Sequence, residues 1–141
     1  MCCKKDDILT KKYQAKTEPI IAWKSMVKVP GFLESWGWYK SPGGTIEGPG
    51  EIDSDRETKE SDEMVYKGCH AYLNKDDAGQ DNLVRVQIII QPEDVVAVGV
   101  LYYSYNFPVL KDGMFFVEIV CMKYTITQEE WDRIFLPEKE E

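Results

Sequence analysis

Residues Leu83 to Ile90 read Leu-Val-Arg-Val-Gln-Ile-Ile-Ile. Val84, Val86, Ile88 and Ile90 fall on one side of an extended chain, and Arg85 and Gln87 on the other. A helix cannot keep that separation. The run therefore predicts a strand with one buried face and one partly wet face. It also demands further strands, because a lone strand has nowhere to bury its face. Two more runs supply them. Phe115 to Thr127 sets Phe115, Val117, Ile119 and Cys121 against Phe116, Glu118, Val120 and Met122. Val95 to Tyr105 is apolar and β-branched, with Gly99 read as a bend or bulge. Pro19-Ile20-Ile21-Ala22-Trp23-Lys24 begins another strand, its proline at a position where a strand tolerates one.

Turn chemistry separates these runs. Pro30-Gly31, Ser41-Pro42-Gly43-Gly44 and Lys111-Asp112-Gly113 are turn sequences, and Gln91-Pro92-Glu93-Asp94 breaks a strand. Phe32 to Tyr39 holds Trp36 and Trp38 on one side of a strand. Thr45 to Ile52 forms a short return strand interrupted at Gly48-Pro49-Gly50. Asn74 caps a short helix through Ala78, which Gly79 ends. Thr127-Gln128-Glu129-Glu130 is a capping box, with Thr127 as cap and Glu130 reaching back. It opens a helix whose Trp131, Ile134 and Phe135 cover one edge of the sheet and which stops before Pro137. The fold class is α+β: a mixed, mostly antiparallel sheet with a short internal helix and a C-terminal helix. Residues 1–16 are expected as a flexible N-terminal arm or a short helix, 17–136 as a single domain and 137–141 as an acidic tail. Glu51 to Glu63 reads as a solvated acidic loop without calcium-loop spacing.

The charge narrows the partners. The 141-residue chain carries a formal net charge of −8, which disfavours nucleic acid and anionic membranes, since both need a basic field. No apolar stretch approaches the roughly 18–20 residues of a membrane span, and Met1 to Asp7 lacks the apolar core of a secretory signal. The expected location is cytoplasmic, with Cys2, Cys3, Cys69 and Cys121 as free thiols. The expected partner is a protein or a small molecule.

Tyr66-Lys67-Gly68-Cys69-His70-Ala71-Tyr72-Leu73 contains the only histidine of the chain, the side-chain type whose charge changes near neutrality. Neighbours in a strand point to opposite faces, so Cys69 and His70 diverge. A cysteine nucleophile would have to meet His70 across space, and Cys121 is the candidate for it. No C-x-x-C pair starts a zinc site, and no metal is expected. His70 has two readings. One is a hydrogen-bonded residue at the edge of the core. The other is a polar ligand anchor among aromatic side chains, with Tyr66, Tyr72 and Glu118 as further ligand-binding candidates. The four tryptophans are expected in the core. Tyr102, Tyr103 and Tyr105 suggest a contact patch. No phosphate-cradling loop, dinucleotide fingerprint, serine-nucleophile elbow or H-E-x-x-H is present, so no cofactor is named.

Gly68-Cys69-His70-Ala71, Asn74 to Ala78, Val84 to Val86, Pro92-Glu93-Asp94-Val95-Val96-Ala97-Val98 and the strand ending Cys121-Met122-Lys123-Tyr124-Thr125-Ile126 together resemble small domains of phages and bacteria. Some of these lie at the C-terminal end of phage rapid-lysis-type proteins. That resemblance carries no settled activity with it, and the expected function is a non-enzymatic interaction or regulatory module of phage or bacterial type. The strand–helix–strand order is also similar to parts of ADP-ribosyltransferase-like folds. That second likeness implies an NAD-dependent transferase, with His70 near the nicotinamide and Glu118 as the late acid. Glu118 lacks the Q/E-x-E context of those folds, and Trp23-Lys24 stand where their first strand carries Arg or His.

Overall fold

The alternating run becomes β8, and its partners wrap it around one core. A computed structural model describes residues 2–35, 45–53, 64–65, 68–78, 83–102 and 117–136. In chain order the elements are β1 (Cys2–Lys5), α1 (Asp7–Gln14), β2 (Ile20–Val29), β3 (Phe32–Ser35), β4 (Thr45–Ile46), β5 (Gly50–Asp53), β6 (Met64–Val65), β7 (Cys69–Tyr72), β8 (Val84–Ile90), β9 (Val95–Tyr102), β10 (Val117–Cys121), β11 (Lys123–Ile126) and α2 (Gln128–Phe135). The main path of the sheet runs β5-β11-β8-β2-β7-β10-β9-β1-β6, with β3 on β2 and β4 on β3. The class is α+β with an antiparallel sheet. Where a mixed sheet was expected, every pairing among the described residues is antiparallel.

One junction sets the curvature. Only Met122 separates β10 from β11, yet β10 lies between β7 and β9 while β11 lies between β8 and β5. A single bent strand thus flanks both ends of the run β8-β2-β7, and the sheet has to curl to allow it. Inside the curl, Ala22, Met26, Cys69, Ala71, Val86, Ile88, Ile90, Ile119, Cys121, Tyr124 and Ile126 are buried. Val86, Ile88 and Ile90 lie on the face that their alternation predicts. Burying each such side chain contributes about 1.5–3 kcal/mol.

Both helices finish edges of this sheet. Residues 1–16, expected as a flexible arm or a short helix, supply a strand, β1, as well as the helix α1. β1 pairs with β9 as far as Lys5 opposite Gly99, and α1 then takes over the same edge. Asp6 N donates to Val98 O (2.9 Å), Thr10 Oγ1 accepts from Val98 N (3.0 Å), and Gln14 Nε2 donates to Val95 O (2.9 Å). Every one of these bonds satisfies a backbone group of β9 that no strand reaches.

α2 does the same for β8. Thr127 Oγ1 accepts from Glu130 N (3.1 Å), as the capping sequence predicts. The Glu130 carboxylate does not reach back to the cap. It turns to the sheet, where Oε2 accepts from Gln87 N (2.5 Å) and Arg133 donates to both its oxygens (2.5 and 2.9 Å). Arg133 Nη2 also donates to Arg85 O (2.9 Å). β11 meets β8 at Thr125 opposite Ile89, so the edge at 85–87 is held by helix side chains. Lys28 Nζ donates to Ile134 O (2.8 Å) and so caps the negative end of α2.

Other expectations change in detail. The internal helix is a single 3-10 turn, Lys75–Asp77, with Asn74 Oδ1 accepting from Asp76 N (3.0 Å). Gly99 pairs regularly with Lys5 and Glu118. The bulge falls at Val96, because Val120 opposes Ala97 while Cys121 opposes Val95. Glu51 to Asp53 form β5 against β11, not a loop. The rest of the acidic segment, the acidic tail, Tyr66, Trp36, Trp38, Tyr103, Tyr105 and the turn at Lys111-Asp112-Gly113 lie outside the described residues. No helix of the described residues is long and apolar enough to cross a membrane.

Candidate functional site

The site follows from register. β7 and β10 are antiparallel, with Tyr72 opposite Glu118 and His70 opposite Val120. His70 and Glu118 therefore stand diagonally on the face away from the core. Diagonal Cβ atoms are about 7–8 Å apart, within reach of two long side chains. They meet: the His70 ring donates from Nδ1 to Glu118 Oε1. A carboxylate has no proton to give in this contact, so the bond fixes the histidine tautomer and ring orientation. Any further contact of the ring runs through Nε2 or the ring face. Gly68, just before β7, has φ 106°, a conformation open to glycine and strained for other residues. It turns the chain into the strand that carries His70.

The pair straddles the boundary between buried and wet. The Glu118 side chain is 4% exposed and that of His70 19%. Behind Glu118 the outer face is closed by a small cluster of Val96, Ala97 and Val120, with Met122 against it. A carboxylate placed there needs a partner, because an unpaired buried charge is costly. On the open side, Tyr72 opposes Trp23 of β2, and the Lys75 ammonium lies 5.0 Å from the centre of the Trp23 ring, a cation–π distance. On the far side, Gly99 is the direct partner of both Glu118 and Lys5. It brings no side chain between the Lys5 and Glu118 positions. One row across the sheet thus runs Lys5, Gly99, Glu118, Tyr72, Trp23 and Gln87.

Three of the four ligand-binding candidates, His70, Tyr72 and Glu118, come together on this face; Tyr66 lies outside the described residues. Cys69 points the other way and is buried in the core, so Cys69 and His70 do diverge. Trp23, expected in the core, is instead a half-buried part of the site face. Lys5, Gly99 and Lys75 were missed, since their roles depend on pairing between distant strands. Among the described residues, no group of three or more His, Cys, Asp or Glu is arranged to hold a metal.

Comparison with protein-family models, with curated proteins and with solved structures finds no match to this chain.

Proposed function

We propose that the protein is a non-enzymatic interaction or regulatory module of the phage or bacterial kind, and that its contact surface is centred on His70. The observation behind this is the state of Glu118. Its carboxylate is almost fully buried and engaged by the histidine. A general acid or base must reach the proton it moves, and only 4% of the Glu118 side chain is exposed among the described residues. Its role in this reading is to orient His70. The histidine edge, Tyr72, Trp23 and Lys75 then make a polar and aromatic surface suited to a planar small molecule or a partner's side chain.

The transferase alternative rests on the convergence of the same two residues, since such an enzyme needs a carboxylate and an orienting polar group in one place. One experiment separates the two. The purified protein is incubated with NAD while released nicotinamide is followed by chromatography. The binding reading expects no release above the buffer rate. Release that disappears in Glu118→Gln replaces it with the transferase reading.

A further inference from the structure

The inside of the curl carries a second set of reactive groups, separate from the outer-face site. Cys69 and Cys121 are direct partners in the pairing of β7 with β10. Neither is in a disulfide, and both are fully buried. Opposed Cα atoms of antiparallel strands lie about 4.5–5.5 Å apart, inside the roughly 4.4–6.8 Å that a disulfide spans. Cys121 Sγ already contacts Cys69 O at 3.7 Å. Two further groups face the pair. Lys24, on the core side of β2, donates from Nζ to His70 O (2.6 Å), and its charge favours the Cys121 thiolate, although burial holds that thiol well above its ordinary range. Tyr124 is 1% exposed. Its hydroxyl is buried without a hydrogen-bond partner among the described residues, and it lies within electrostatic reach of both cysteines. Buried hydroxyls are rarely left unpaired.

We propose that Cys69 and Cys121 are a modification site: a hydroperoxide converts them to a cross-strand disulfide that locks β7 to β10 beneath the His70–Glu118 pair. With hydrogen peroxide, one thiolate attacks an oxygen, the O–O bond breaks, and the leaving oxygen departs as water after taking up a proton. The product is a sulfenic acid. The second thiolate then attacks that sulfur. The S–S bond forms, the S–O bond breaks, and the hydroxyl leaves as a second water. Two thiols and one peroxide give one disulfide and two waters, with two electrons passing from sulfur to the peroxide. Cys69 immediately precedes His70, and Cys121 follows Glu118 by three positions, so the bond fixes the register on which their contact depends.

The test uses the full chain carrying Cys2→Ser and Cys3→Ser, which leaves only the two buried thiols. After treatment with hydrogen peroxide, the protein is denatured, its free thiols are alkylated, and it is digested and weighed. The expected result is a linked Cys69–Cys121 peptide, two hydrogens lighter. The native oxidised protein should melt about 10 °C higher because the bond closes a long loop, and dithiothreitol should reverse the change. Two thiols still open to alkylation, sulfinic or sulfonic products without a link, or a linked protein that melts lower would each overturn the proposal.

Discussion

Glu130→Ala removes the side chain that ties α2 to the open edge of β8. Glu130 is 5% exposed, and its carboxylate accepts from Gln87 N and from Arg133. A hydrogen bond to a charged group is worth about 1.5–3 kcal/mol, and leaving the Gln87 N–H unpaired costs about 1–3 kcal/mol. These two figures overlap, since both describe the loss of one bond. The Arg133 side chain is 56% exposed, so its ion pair with Glu130 adds little by itself. The expected loss is therefore about 2–4 kcal/mol. For a chain of this length that lowers the melting temperature by roughly 10 °C. Glu130→Gln keeps an acceptor for Gln87 and should lose about half as much. Arg133→Ala should cost about 1 kcal/mol, through its bond to Arg85 O and the uncompensated carboxylate. The assay is urea unfolding of the three variants and of the Glu130→Ala/Arg133→Ala double variant. Equal losses in Glu130→Gln and Glu130→Ala would refute the edge-pairing argument, because only the alanine leaves the backbone donor bare.

Val86→Ala and Ile88→Ala should each destabilise by about 2–4 kcal/mol, as truncations inside a packed core do, whereas Arg85→Ala on the wet face should cost under about 1 kcal/mol; comparable denaturant midpoints would mean that the two faces of β8 are assigned wrongly. Asp94 supplies a pH test. Burial holds its carboxyl above its ordinary value of 3.8; Lys123 partly offsets this, while Glu93, Glu51 and Asp53 add to it. A raised folded-state value means that ionised Asp94 opposes folding at neutral pH. That cost fades as pH falls through the folded value towards 3.8. Asp94→Asn should thus melt slightly above the wild-type protein at pH 7 and level with it near the ordinary value, and a wild-type advantage at pH 7 would contradict this.

The strands and the local caps were legible where one short stretch held the whole instruction. Alternation alone sorted Val86, Ile88 and Ile90 from Arg85 and Gln87, and Thr127 announced its helix. The pairing partner of each strand was not written locally. Gly99 looked like a bulge because glycine is rare in strands, yet the extra residue is Val96 and the glycine pairs regularly with Glu118. Glu130 matched the capping pattern, but the unpaired Gln87 N–H offered its carboxylate a better partner than the cap. The N-terminal segment read as an arm or a short helix because it is polar and lysine-rich. Its helix is fixed by Thr10 and Gln14, two side chains that bond the β9 edge. One signal was available and went unread: Lys24 shares its face with Ile20, Ala22 and Met26, which put a cation on the core side of β2. For the site, His70 and Glu118 were each visible as isolated polar residues in apolar strands. Their contact needed the register of β7 against β10.

The central claim is that His70, held by Glu118, makes contact with a partner and is not mainly a strut. The most direct measurement compares thermal melts of the wild-type protein and His70→Gln, alone and with a panel of nucleotides, NAD and short peptides. A ligand that binds the folded protein raises its melting temperature by mass action. The account predicts that His70→Gln alone melts within about 2 °C of the wild-type protein. It also predicts that the ligands which stabilise the wild-type protein no longer stabilise the variant. A variant that keeps the full ligand response, or a panel that moves neither protein, would contradict it.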